Sequence, residues 1–286
     1  MPATEVVDKD LAQKNLAQED LAQEDLARAA ERLAASVREA GALALSMFQT
    51  PLKNWTKGAA SPVCEADIAV DGLLRERLTG DGAGIGWLSE ESADDPARLD
   101  ARYVWIVDPI DGTRAYIAGL PDWAVSAALV KNGRPIAACL YAPVMAEFFM
   151  AAAGSGATLN SRSIATTTGA DLAQARIAGP RNFLERLAAV APPFTVMPRT
   201  HSLALRLARV AQGTFDAAVA GGNSHDWDLA AADLLVHEAG GALTPFGGGT
   251  VTYNCPVPRH GMLVAAGRDR HAALIELIRD ECLASP

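Results

Sequence analysis

Three stretches of this sequence place acids where they can do chemistry. In Trp105-Ile-Val-Asp108-Pro-Ile-Asp111-Gly-Thr113 an apolar run meets two acids, a proline and a glycine. Pro109 donates no ladder hydrogen bond and pushes Asp108 toward extended backbone, while Gly112 tolerates angles other residues avoid, so the strand is expected to stop there in a turn. Such a turn can aim both carboxylates and the Ile110 carbonyl at one point, a hard-oxygen set that suits Mg2+, Mn2+ or Ca2+. Asp-Pro and Asp-Gly are also ordinary solvated turn formers. Ser89-Glu90-Glu91-Ser92 follows the apolar Ile85-Gly-Trp-Leu88 and reads as an acid at a strand end or as a plain surface pair. His225-Asp226-Trp227-Asp228 opens a helix that ends at Gly240-Gly241, and acids in its first turn serve equally as caps. Capping and ligation are compatible.

The combination favours metal. Clustered carboxylates repel and raise one another's pKa, so Glu90, Asp108, Asp111 and Asp228 can converge only with compensating cations. Bound cations also invert the local sign, which lets a chain of net charge −9 take an anionic phosphate ester. The 34 acidic against 25 basic side chains offer no extended basic surface, so nucleic-acid polymers are excluded as partners.

These acids need a scaffold, and 286 residues, half of them hydrophobic, suffice to bury one. Apolar residues from Leu26 to Met47 recur at helical spacing, and a second helix is expected from Glu65 to Leu78. Tyr103–Val107, Ala124–Lys131 and Ile136–Tyr141 read as buried strands, the last two joined by an Asn132-Gly133 hairpin turn. Helices are expected over Leu203–Val210, Asp228–Ala239 and Arg270–Leu283, with a strand over Met262–Ala266. The sum is an α/β architecture in two parts, 26–154 carrying most of the acids and 155–286 carrying Asp228. Residues 1–25, whose pentad Leu-Ala-Gln-Glu-Asp spreads its leucines around a helix, read as a flexible tail.

Other classes fit poorly. No G-x-x-x-x-G-K-[ST] loop occurs, Gly82-Ala-Gly84-Ile-Gly86 lacks dinucleotide-binding spacing, and five histidines show no zinc pattern. Four scattered cysteines without C-x-x-C point to a reducing compartment. With no secretory signal and no apolar run of membrane-spanning length, the expectation is a cytoplasmic protein without a membrane partner.

In Glu90-Glu-Ser92, Asp108-Pro-Ile-Asp-Gly-Thr113 and Trp227-Asp228 with its helix ending Gly-Gly, together with Ser61-Pro-Val-Cys-Glu-Ala-Asp67, the chain resembles the inositol monophosphatase family of metal-dependent, lithium-sensitive phosphatases. The resemblance covers everything beyond the tail. It implies a layered αβαβα sandwich, usually dimeric, with two or three Mg2+ per site, for which Mn2+ can substitute. By that resemblance Glu90, Asp108 and the Ile110 carbonyl hold one cation, and Asp108, Asp111 and Asp228 a second. Asp67 and Thr113 orient and help deprotonate the attacking water, and the N–H groups of Gly112 and Thr113 face the phosphate. Wording such as Ser89-Glu-Glu-Ser92 and Tyr141-Ala-Pro143-Val is similar to the 3′(2′),5′-bisphosphate nucleotidase branch, which acts on 3′-phosphoadenosine 5′-phosphate. Gly221 stands where inositol-specific members carry an acid, His201-Ser202 replaces the common Gly-Ser or Gly-Thr pair, and Cys64 stands in place of a threonine. Ser202, Arg206 and His225 are the expected substrate contacts, Arg206 through a second phosphate or simply as a solvated helix residue. Inositol 1-phosphate, histidinol phosphate and fructose 1,6-bisphosphate are alternative substrates, and a non-catalytic metal or phosphate-ligand binder is the alternative of another class.

Overall fold

The computed structural model describes residues 23–58, 61–80 and 84–281. The expected flexible tail lies outside them up to residue 22, the first helix beginning at Gln23. In chain order the elements are α1 (Gln23–Met47), β1 (Asn54–Lys57), β2 (Ser61–Cys64), α2 (Glu65–Thr79), β3 (Ile85–Ser89), β4 (Tyr103–Asp111), α3 (Thr113–Ile117), β5 (Ala124–Lys131), β6 (Arg134–Ala142) and β7 (Glu147–Ala152). There follow β8 (Ala157–Leu159), β9 (Arg162–Ile164), β10 (Arg176–Ala178), α4 (Arg181–Ala188), β11 (Thr195–Val196), α5 (Leu203–Ala211), β12 (Ala217–Ala220) and β13 (Ser224–His225). Last come α6 (Asp226–Glu238), β14 (Gly241–Pro245), β15 (Arg259–His260), β16 (Leu263–Gly267) and α7 (Arg268–Asp280).

Two large sheets organise the described residues. One runs β3-β4-β5-β6-β7-β8-β9, antiparallel except for the parallel β3–β4 pair. The other runs β11-β10-β12-β16-β14 and mixes both senses. β4 shows why the first is a middle layer: all nine of its residues are buried. Tyr103, Trp105 and Val107 pack with the apolar faces of α1 and α2, whereas Val104 and Ile106 pack with α5 and α6. Period-two alternation here separates two cores instead of core from water.

α6 is apolar nearly all round, with Leu229 to Val236 entirely buried, because it lies between the sheets. Ala230, Ala231 and Ala232 permit close approach on either side. Beyond the second sheet, Phe183, Leu187, Leu274 and Ile278 of α4 and α7 close a third core. The layers therefore read α1/α2, first sheet, α5/α6, second sheet, α4/α7, the expected αβαβα sandwich.

Two expectations need correction. The first sheet runs past Gly154, where the two parts were expected to join: β8 and β9 extend it to Ile164, and α6 from the C-terminal half packs on it. Its far end is tied as well: Glu238 of α6 accepts from the Gly154 and Gly156 N–H groups at 2.9 and 2.8 Å, in the turn before β8. β4 does not stop at Pro109. It continues to Asp111 through a bulge between Asp108 and Asp111, where the N–H that proline lacks is not needed for the ladder.

Candidate active site

The β4 bulge turns two acids the same way. Across it Asp108 pairs with Ser126 and Asp111 with Ala124, and the Ile110 N–H donates to Asp108 Oδ1 at 3.1 Å. Gly112 ends the strand at φ +96°, and a Cβ there would stand 3.2 Å from the Asp122 carbonyl oxygen and the Ser202 nitrogen. Glycine is required by both angle and space.

Asp67 and Asp228 arrive by one shared device. Each is the third residue of its helix and reaches back to the capping backbone: the Cys64 N–H donates to Asp67 Oδ2 at 2.8 Å, the His225 N–H to Asp228 Oδ2 at 2.6 Å. The acid that caps the helix is thereby held toward β4. Asp67 also accepts from the Cys64 thiol at 2.9 Å and, on its other oxygen, from the Thr113 hydroxyl at 3.1 Å. Thr113 Oγ1 lies 3.0 Å from the Ile110 carbonyl oxygen as well.

Asp108, Asp111 and Asp228 each offer an oxygen within 4.8 Å of the others. Burial first, then the charges of Glu90, Asp111 and Asp228, hold the Asp108 carboxyl well above the usual carboxylate range. Asp228 is raised by burial and by Asp111. Burial also lifts Asp111, but only to about 6, because the Ser202 hydroxyl (2.6 Å) and the Ala204 and Leu203 N–H groups (2.6 and 3.2 Å) at the start of α5 stabilise its anion. Two buried carboxylates and a third, Asp228, about one-fifth exposed, in mutual repulsion are a donor set shaped for a hard divalent cation, and the residues present fit one. Asp108, Asp111 and Asp228 are those whose oxygens converge to hold it, and Glu90 is not among the three.

A pocket of about 200 Å3 opens over this cluster, lined also by Glu90, Gly112, Thr113, Arg114, Arg199 and His201. Glu90 stands on its rim with a carboxylate oxygen 3.4 Å from Lys57 Nζ, and Lys57 donates in turn to the Glu90 carbonyl and to Glu91. Burial raises Glu91 to about 7 against that ion pair.

None of the three expected substrate contacts lines the acid pocket, though Arg206 lines the larger cavity beside it. Ser202 caps α5, accepting from Leu205 N–H at 2.9 Å while donating to Asp111, so it positions an acid. His225 stacks on Trp227 at 4.6 Å and reaches the site through its backbone. Arg206 is neither solvated nor in the acid pocket. Its guanidinium donates to the Thr200 and Val219 carbonyls at 2.9 and 3.3 Å, on the wall of a neighbouring cavity. Sequence reasoning missed Lys57, Arg199 and the pairing of His201 with Asp122, partners 79 residues apart, which no local motif announces.

The family model described as "Inositol monophosphatase family" matches residues 22–282. The chain is similar to an inositol-1-monophosphatase of Mesorhizobium japonicum, 32% identical over 232 residues, covering 78% of this chain and 85% of that one. It is similar to a histidinol-phosphatase of Mycobacterium tuberculosis, 35% identical over 217 residues, covering 70% and 82%. Among solved structures, the extragenic suppressor protein SuhB of Bartonella henselae superposes with a TM-score of 0.76 at 29% identity, covering 87% of this chain and 97% of that one.

Proposed function

We propose, from the premise that this chain belongs to the inositol monophosphatase family and is a metal-dependent phosphoric monoester hydrolase, that it acts on a phosphorylated metabolite with a nucleoside-sized leaving group, 3′-phosphoadenosine 5′-phosphate first. The observation that carries this reading is a cavity of about 850 Å3 beside the acid pocket. Pro180, Leu184, Val196, Met197 and Leu203 give it apolar walls, the Arg181–Glu185 pair and Arg206 also line it, Gly221 adds no charge, and Arg199 stands on the wall common to both spaces. An aromatic base suits such walls, and a second phosphate suits a guanidinium. Inositol 1-phosphate is the second reading, favoured by the relatives of that name.

In this reading Mg2+, or Mn2+ in its place, would be held by Glu90, Asp108, the Ile110 carbonyl, Asp111 and Asp228. Bound there, divalent cations lower the pKa of water, neutralise phosphate oxygens and stabilise the departing alkoxide. The protein's own groups do the rest. Asp67, its second oxygen fixed by Cys64, takes a proton through the Thr113 hydroxyl, 3.1 Å away, as the attacking water loses one. The backbone at Gly112 and Thr113, pinned under Asp122 and Ser202, receives the phosphate. The reading carries with it a homodimer acting in the cytoplasm, checked by light scattering and by fractionation. Among the described residues no helix is long and apolar enough to cross a membrane.

The test is a panel of kcat/KM values with Mg2+ for 3′-phosphoadenosine 5′-phosphate, inositol 1-phosphate, histidinol phosphate and fructose 1,6-bisphosphate. The nucleotide is expected to lead and to lose most in Arg199→Ala. A clear inositol preference reverses the order, and no turnover of any ester removes the enzymatic reading in favour of a non-catalytic binder.

A further inference from the structure

His201 lines the acid pocket beside Asp108, Asp111, Thr113 and Asp228, yet neither cation binding nor phosphate capture uses it. Its ring is fixed. Nδ1 lies 2.8 Å from Asp122 Oδ2, and the His201 backbone N–H donates to the same oxygen at 2.7 Å. Asp122 is itself seated against the phosphate loop: its carbonyl accepts from the Ser202 N–H at 3.2 Å and crowds the position a Gly112 side chain would take. The pair is therefore held in register with the residues that receive the phosphate.

A carboxylate at Nδ1 keeps the proton of a neutral imidazole on that nitrogen and leaves Nε2 with its lone pair. Among the described residues Nε2 has no hydrogen-bond partner, and the side chain is 26% exposed at the pocket. The other polar side chains around the space are unsuited to accept from a neutral ligand. Arg114 and Arg199 only donate, the Thr113 hydroxyl, which donates toward Asp67 and the Ile110 carbonyl, is committed to the attacking water, and the carboxylates are the set that would hold a cation.

We infer that His201 is a substrate contact whose Nε2 accepts a hydrogen bond from a hydroxyl on the leaving group, next to the ester oxygen, and that Asp122 is its positioning residue. The ligand class is a phosphate monoester of a polyhydroxylated alcohol, whether a ribose or a polyol. The inference rests on the phosphatase reading and does not depend on which such ester is the natural substrate.

Two small esters with the same carbon skeleton isolate the contact. Glycerol 2-phosphate carries hydroxyls on both carbons beside the ester carbon, and isopropyl phosphate carries none. With Mg2+ present, the wild type is expected to favour the glycerol ester about tenfold in kcat/KM, because the part-exposed Nε2 has a hydroxyl to accept from in that ester and none in the other. His201→Phe and His201→Ala are each expected to reduce that preference about tenfold, whatever they do to absolute rates. His201→Gln, which keeps an acceptor, restores part of it. Asp122→Leu reduces it through KM for the glycerol ester. An equal loss on both esters marks a merely structural residue and overturns the inference, as does a wild type without preference. A wild type that turns over an ester of the larger panel but neither of these two overturns the inference alone, whereas one that turns over none of them sinks the phosphatase reading and the inference with it.

Discussion

Asp228→Asn should make the cation-free protein more stable while nearly abolishing its activity. The oxygens of Asp108, Asp111 and Asp228 lie within 4.8 Å of one another. At an effective dielectric of about 20, two unit charges at that separation repel by about 3 kcal/mol. Asp228 faces two such neighbours, but protons taken up by the crowded carboxyls relieve most of the repulsion, leaving roughly 1–3 kcal/mol to be gained by removing its charge. Asparagine conserves volume and can still accept from the His225 N–H, so the cap on α6 survives. At roughly 2–4 °C per kcal/mol for domains of 150–250 residues, the variant should melt several degrees above the wild type in EDTA. Magnesium should reverse the order. A ligand at a hundred times its Kd stabilises the wild type by about 2.7 kcal/mol, and the variant should show little of that shift, with phosphate release down about a thousandfold. Calorimetry in EDTA and across a Mg2+ titration, paired with a phosphate-release assay, measures both halves. A variant that melts lower than the wild type without metal, or that keeps its magnesium shift and turnover, refutes the reasoning.

Three further outcomes follow from other contacts. Gly112→Ala, forced to φ +96° with its Cβ 3.2 Å from the Asp122 carbonyl, should lose about 1–3 kcal/mol of stability by thermal melting and far more activity. Cys64→Ala removes the thiol that donates to Asp67 and should lower kcat several-fold with little effect on KM, whereas Cys64→Ser should restore it. At Asp216 burial opposes the charge, but Arg176 and the Thr167 hydroxyl hold the carboxyl down to about 2. A depressed carboxylate pKa contributes stability that is complete above the unfolded value near 4 and is lost as pH falls through 2. Asp216→Asn should therefore cost about 1–2 kcal/mol at pH 7, the figure discounted for the half-exposed Arg176, and the gap between variant and wild type should close toward pH 2 in acid melts.

The sequence was most legible where one apolar run serves one layer. β5 starts at Ala124 and ends at Lys131 as its composition implies, and α2 starts at Glu65. Legibility failed where an element is short or a local signal has two meanings. Asp-Pro and Asp-Gly read as a turn, yet pairing to β5 on one side carries β4 through them as a bulge. β8 and β9, of three residues each, are too short for any periodicity to show that the first sheet continues past Gly154. The exposed strand Asn54-Trp-Thr-Lys57 has no apolar alternation, so Lys57 could not be placed beside Glu90. Asp111 and Asp228 were legible because they sit at a strand end and in a first helical turn, where residue type and position coincide. The placing of Ser202, Arg206 and His225 was not, because the fold turns Ser202 to the Asp111 carboxylate, Arg206 to the Thr200 and Val219 carbonyls, and the His225 ring onto Trp227.

α6 is a stiff rod of 13 residues, roughly 20 Å long, with Asp228 in its first turn and Glu238 at its last. The same helix thus bears a cluster carboxylate at one tip and anchors the glycine turn at the other. A cation entering the pocket should therefore slow hydrogen exchange at the Gly154 and Gly156 amides, which dock on Glu238. By reciprocity, an alteration that loosens that remote turn should weaken the grip on the ion without touching a single ligand.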